Sequence, residues 1–364
     1  MTQRDTGAQA PYTVFKADVS YYSGKLEAYL RYKEVPYEAL EVDARVMNEQ
    51  VYRAVGIKKV PSVRAADGQW LYDTTPCIAW FERQHAGVSV FPDDPALRFL
   101  ALLIEDYGDE WLWRPAMWWR WEPIVSRLAL GRAIGEITNL RWLPASWVGR
   151  QFASRQRRLW LWKDGVNREN AAAVRQLYLD ELDFLQALLE QQPYMLGSHP
   201  SVADFGYFAS MFRHFGNDPD PAEVMRRRAP AVYAWTARLW NERASRLGPQ
   251  PSWVWPDSAV WSRLWSRVAG DYLPYLLENA RAFRDGRKRF NFRGQSQQFS
   301  GTVTDHYRVW CRQELQRRYQ ELDPGGRDRV EAVLGPHGGL GSLLADGEID
   351  AGLDERYHLP KRPG

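Results

Sequence analysis

"KKVPSV", residues 58–63, leads into Arg64-Ala65-Ala66-Asp67-Gly68-Gln69-Trp70-Leu71-Tyr72. An Asp-Gly pair between two short apolar runs reads as a hairpin turn, which predicts strands over 60–65 and 70–72. Pro61 then sits inside a strand, although proline lacks the N–H a ladder needs and is kept to strand starts, edges and bulges. Two readings account for it. Pro61 opens a strand and has no further role, or the Val60–Pro61 bond is cis, which costs an X-Pro bond little. A cis-Pro61 would bend the chain and leave the N–H and C=O of Val60 free to pair with a short extended peptide, as an added strand does.

Upstream of this hairpin, residues 12–18 form a predicted strand. Ser20-Tyr21-Tyr22-Ser23-Gly24-Lys25 then opens a helix carrying Leu26, Tyr29 and Leu30, with a turn at Val35-Pro36. A second strand is expected over 38–43 and a short helix over 47–55, ending at Gly56. Downstream, Asp73-Thr74-Thr75-Pro76 opens another helix, a threonine cap with proline in the first turn. The order β-α-β-α-β-β-α makes one compact α/β unit. After Phe91-Pro92-Asp93-Asp94-Pro95 the strand signals stop. Helices are predicted over 96–113, 170–190, 201–215, 229–246, near 258–284 and over 304–322, while 130–165 is basic, Trp-rich and hard to parse. Phe290 and Phe292 alternate with polar residues as in a strand.

The chain has 364 residues and a net charge of +3, so nothing in the overall balance points to nucleic acid. Its two cysteines, Cys77 and Cys311, are too far apart for a CxxC pair and too few for a disulfide framework, which fits a reducing cytosol. No apolar run approaches the ~18 residues that span a bilayer, and no histidine spacing suggests a metal site.

Four stretches, in this order and spacing, resemble the glutathione S-transferase family. They are Ser20–Lys25 with Val35-Pro36-Tyr37-Glu38, then Val60-Pro61, then Asp73-Thr74, then Leu196-Gly197-Ser198-His199-Pro200-Ser201-Val202-Ala203-Asp204-Phe205. The resemblance covers roughly residues 12–248. It implies a thioredoxin-like βαβαββα domain over 10–90 and an all-helical glutathione-transferase-type domain over 96–248, with an insertion near 114–168. A mostly helical extension over 249–364 lies beyond it. The Ser201-x-x-Asp204 spacing is also a capping box, so these two residues are read as structural.

The resemblance implies glutathione as co-substrate, no metal, an apolar small-molecule electrophile, a homodimer, a cytoplasmic location and no membrane partner. Glutathione would lie along Lys59, Val60 and Pro61, with its γ-glutamyl end at Asp73 and Thr74. A helix N-terminus and a hydroxyl suit the carboxylate there, and an acid suits the ammonium. Lys58 and Lys59 are candidates for the glycyl carboxylate, or plain surface lysines. Ser20 stands where serine-type members place the hydroxyl that favours the thiolate, and Ser23, Tyr21 and Tyr22 compete with it.

"GDEWLWRPAMWWRWEP", residues 108–123, holds five of the 18 tryptophans. Trp111, Trp113, Trp118 and Trp119 either line an electrophile pocket or form core beneath the extension. Residues 281–320 carry ten Lys or Arg against Asp285, Asp305 and Glu314, a local +7 that reads as a solvated face or as one for an acidic partner or nucleic acid. Two functions compete: a glutathione-dependent transferase, and an interaction or stress protein that keeps the fold without turnover.

Overall fold

The computed structural model describes residues 11–138 and 143–353. Four strands, β1 (Tyr12–Lys16), β2 (Glu38–Glu41), β3 (Ser62–Ala65) and β4 (Trp70–Tyr72), form one sheet in the order β2-β1-β3-β4. β2 runs parallel to β1, while β3 runs antiparallel to both β1 and β4. The turn between β3 and β4 has Gly68 at φ 85°, a conformation open to glycine. Helix α1 (Tyr21–Tyr32) joins β1 to β2, a helical segment over 44–55 joins β2 to β3, and α2 (Thr74–Gln84) follows β4. This is the expected βαβαββα unit.

The remainder is mostly helical: α3 (Pro95–Asp106), α4 (Trp113–Trp121), α5 (Ile124–Thr138), α6 (Ala145–Gln156), α7 (Ala171–Leu189), α8 (Val202–Ser210), α9 (Pro219–Arg228) and α10 (Pro230–Asn241). The helix expected over 96–113 is broken, because α3 gives way to a π-helical turn, Tyr107–Trp111, before α4 begins. The stretch that resisted parsing holds the antiparallel pair α5 and α6. The capping box at the start of α8 is present in full. Asp204 Oδ2 accepts from Ser201 N at 3.0 Å and from Ser201 Oγ at 2.9 Å, and Oδ1 accepts from Met195 N and Trp235 Nε1. Helices α3 and α8 meet backbone to backbone, since a Cβ on Gly206 would lie 2.6 Å from Glu105 Cα.

After residue 248 the chain forms α11 (Leu273–Arg284), a hairpin of β5 (Arg289–Arg293) and β6 (Gln298–Val303), then α12 (His306–Gln320) and α13 (Pro324–Leu334). Phe290 and Phe292 are the buried residues of β5, as their alternation suggests, and β6 was not foreseen. One continuous core cluster joins Val14 in β1 to Leu343 near the end of the described chain, so this segment is packed into the body. Much of its basic run is neutralised internally. Arg281 and Arg284 pair with Asp346, Arg308 with Glu110 and Asp164, and Arg317 with Glu314 and Glu321, while Arg312 donates to the carbonyls of Leu343, Ala345 and Gly347.

Candidate functional site

The corner between β1 and α1 begins with Ser20, the N-cap of α1. Its extended backbone (φ −85°, ψ 129°) lets Oγ accept from Ser23 N at 3.3 Å. The same hydroxyl donates to the Val60 carbonyl at 3.4 Å, and the Val60–Pro61 bond is cis. The helix start, a hydroxyl and the lip of the proline strand therefore converge at one point. Two arginines from the helical body hold the loop that makes this possible. Arg213 donates to Ala17 O at 2.9 Å and pairs with Glu27, and Arg120 donates to Val19 O at 2.7 Å and pairs with Asp218. His214 lies against Arg120, and burial together with that charge keeps its imidazole neutral.

The other hydroxyls at this corner have different surroundings. Ser23 is buried and accepts from Ala17 N, bracing the loop. Tyr21 is also buried, its hydroxyl donating to Gly108 O at 2.6 Å, so it ties α1 to the helical body. Tyr22 keeps some exposure. Its hydroxyl donates to Glu110 Oε1 at 3.2 Å, and its ring stacks on Trp113 with centroids 6.1 Å apart. Burial pushes both phenols well above the ordinary tyrosine range. Lys58 and Lys59 are exposed, with the Lys58 ammonium over the Tyr52 ring.

At the far end, Asp73 takes the N-cap position of α2 with φ 73°, and Thr74 is the first helical residue. The expected threonine cap is not formed. Thr74 is buried without a side-chain cap, and the Thr75 hydroxyl bonds Glu105. Asp73 instead accepts from the Tyr307 hydroxyl of α12 at 2.8 Å. Burial pushes its carboxyl up to about 6, opposed by the Tyr307 bond and the charge of Lys25. Lys25 is fully buried between Glu105, at 2.5 Å, and Asp109, and also bonds Thr75. Burial alone would lower its affinity for a proton, but the two carboxylates reverse that and keep it charged.

The tryptophans divide. Trp111 is 1% exposed and packs against Tyr272, Tyr275, Phe292 and Phe299, so the pocket expectation fails for it: it is core beneath the extension. Trp119 is likewise buried, against Tyr178. Trp118 is partly buried edge-on to Trp119. Trp113, beside Tyr22, is the tryptophan that reaches the corner.

Sequence reasoning missed Lys25, Arg120, Arg213, Tyr307 and Arg308. A signal existed for Lys25, which stands one helical turn from both Tyr21 and Tyr29, a cation in an apolar row. Arg308 joins three elements, donating to Glu110 at 3.1 Å, Asp164 at 2.8 Å and the Tyr275 hydroxyl at 3.0 Å. Its partners are far away in sequence, so no spacing announces it.

Among family models, that of the glutathione S-transferase N-terminal domain matches residues 14–89 and that of the C-terminal domain matches 152–242. These two stretches carry the N- and C-terminal domains of a glutathione S-transferase. Similar solved structures include a glutathione S-transferase from Pseudomonas fluorescens Pf-5, at 20% identity over 63% of this chain and 94% of that one, with a TM-score of 0.40. The beta-etherase LigF from Sphingobium sp. strain SYK-6 is 18% identical over 65% and 97%, with a TM-score of 0.46. A glutathione transferase family member from Pseudomonas fluorescens Pf-5, solved with bound glutathione, is 18% identical over 62% and 92%, with a TM-score of 0.38. No curated protein matches the sequence. The described residues hold no group of His, Cys, Asp and Glu suited to a metal ion and no helix long and apolar enough to cross a membrane.

Proposed function

We propose that the protein binds glutathione along the Val60–Pro61 lip and activates its thiol at Ser20 for attack on an apolar electrophile. The observation that carries this reading is the 3.4 Å approach of Ser20 Oγ to Val60 O at the start of α1. A peptide pairing with Val60 would bring its sulfur to the hydroxyl and to the positive end of the helix. Redirected from Val60 O to the sulfur, the Ser20 proton would favour the thiolate, the reactive form. The sulfur would then form a bond to the electrophile's carbon as the leaving group departs with the bond electrons. Trp113 and Tyr22 supply a flat apolar wall for such a substrate.

At the other end, Asp73 would take the α-amino group and the first N–H groups of α2 the carboxylate. Tyr307 is a third partner, since a phenol that donates to Asp73 still has lone pairs for an ammonium. The test is calorimetric titration with glutathione, followed by thiolate absorbance of the bound peptide against pH. Tight binding with a thiol titrating below its value in water supports the reading, and no binding ends it.

A second reading, a family member that has kept the fold without turnover, draws on a specific observation. Ser20 already caps α1 and donates to Val60, and Asp73 already pairs with Tyr307, so each end of the site is satisfied without a ligand. Binding of glutathione with an unshifted thiol would favour it.

A further inference from the structure

Helices α5 and α6 form an arm whose two backbones touch. A Cβ on Gly149 would fall 1.9 Å from Gly131 O, and one on Gly135 2.1 Å from Ala145 O. Contact this close leaves little side chain between the helices. On α6, Val148, Gly149 and Ala153 are the buried residues. Helix α6 packs mainly onto α5, and its Phe152 ring meets Trp121 of α4 with centroids 6.1 Å apart.

The arm carries an unusual surface. Ile124, Val125, Leu128, Leu143, Trp147 and Trp162 are six of the ten large exposed apolar residues described in the whole chain, with Leu128 at 58% and Trp147 at 45% exposure. The Gly131–Gly149 contact fixes the register, and it places Leu128 and Trp147 roughly 8 Å apart along the arm at ~1.5 Å per residue. Residues 122–163 also hold eight Lys or Arg against Glu122 and Glu136. Both of these acids are taken within the arm, by Arg157 and Arg132. Arg150, Arg155, Arg158 and Lys163 are exposed beyond those pairs.

We propose that this arm lies on an anionic lipid surface, with Leu128 and Trp147 entering the headgroup boundary and the arginines against the phosphates. Cations alone would suit nucleic acid, but exposed Ile, Val and Leu gain nothing from a phosphate backbone. Apolar residues alone would suit a second copy of the chain, but two arms of the same positive charge repel. Apolar, tryptophan and arginine side chains together match the layered chemistry of a lipid interface, where the apolar parts insert and the charges stay with the headgroups. This docks the protein onto a membrane and not across it.

The experiment is co-sedimentation of the full chain with vesicles of phosphatidylcholine alone and of phosphatidylcholine with phosphatidylglycerol. Binding is expected for the anionic vesicles only, weakening about tenfold between low salt and ~0.5 M salt as screening sets in. Trp147→Ala is expected to weaken it about tenfold through lost apolar insertion, and the pair Arg150→Glu with Arg155→Glu to abolish it. All three positions are exposed, so circular dichroism and glutathione titration should be unchanged, which keeps this test separate from the proposed function. Absence of binding to anionic vesicles overturns the proposal, as does equal binding to both vesicle types. Self-association that Trp147→Ala abolishes, measured by light scattering, overturns it in favour of a second copy.

Discussion

The two ends of the candidate site are held in different ways. At the thiol end, Ser20 meets Val60 across 40 residues inside one small α/β unit, with arginines of the helical body bracing the loop. At the amino end, Asp73 meets Tyr307 across 234 residues, and the partner comes from a segment beyond both family-model matches. The first end is built by local chain geometry, a cap and a turn. The second depends on how well the last third of the chain is seated. Chemistry at the sulfur should therefore tolerate disturbance of the extension, while recognition of the amino group should not.

The most severe way to break this contrast is Arg308→Ala. It leaves Glu110 without its buried cationic partner, while Asp164 keeps Arg114, and should cost about 3–5 kcal/mol. Thermal unfolding should shift down by roughly 10 °C, at ~2–4 °C per kcal/mol. A shift of a degree or two would mean that the extension is not anchored there.

Asp73→Ala should weaken glutathione binding about 10- to 100-fold, the loss of a bond between charged groups, and barely move the bound thiol's pKa. A peptide lacking the α-amino group should bind wild type and variant alike. A variant equally weakened for both peptides would place Asp73 in folding and not in recognition.

Ser20→Ala should leave affinity within a few-fold and raise the bound thiol's pKa by about one to two units, at ~1.36 kcal/mol each. Activity at neutral pH falls accordingly and partly recovers in alkali. The lost cap should also cost about 1 kcal/mol of stability. An unchanged thiolate titration would leave Ser20 as a cap only and turn attention to Tyr22.

The smallest effect is the most diagnostic. The Asp73 carboxyl sits at about 6 because burial outweighs the Tyr307 bond and the charge of Lys25. An ammonium needs it ionised, so binding should be complete above that value and lost as pH falls through it. Tyr307→Phe removes a bond that lowers the value, so the acid limb of the binding curve should move upward by less than about one unit. Stability runs in the opposite sense. A carboxyl raised above its unfolded value near ~4 binds more protons in the native state, so its contribution declines as pH rises from ~4 through 6. An acid limb that stays in place in Tyr307→Phe would separate Tyr307 from the site.

What the sequence made legible follows the same division. Ser20, Pro61 and the Ser201–Asp204 box were readable because caps, turns and strand starts depend on neighbours a few residues away. Trp111 was legible as a large apolar side chain but not as core, since the rings of Tyr272, Tyr275, Phe292 and Phe299 around it come from the extension. The basic run over 281–320 looked like one surface. The structure distributes its arginines among partners as distant as Glu110 and Asp346, because charge pairing follows the fold and not the order of residues. Lys25 was hidden for a simpler reason: a lysine in the second turn of a helix reads as exposed until its two carboxylates are placed around it.

The Tyr307–Asp73 contact also sets an order in time. On the ribosome Asp73 is made 234 residues before its partner, a delay of about 10–50 s at the usual rates of synthesis. The whole α/β unit is complete in length long before Tyr307 is made, and until then the Asp73 carboxylate has no phenol beside it. The nascent protein thus passes through a stage in which one end of the candidate site can form its contact and the other cannot.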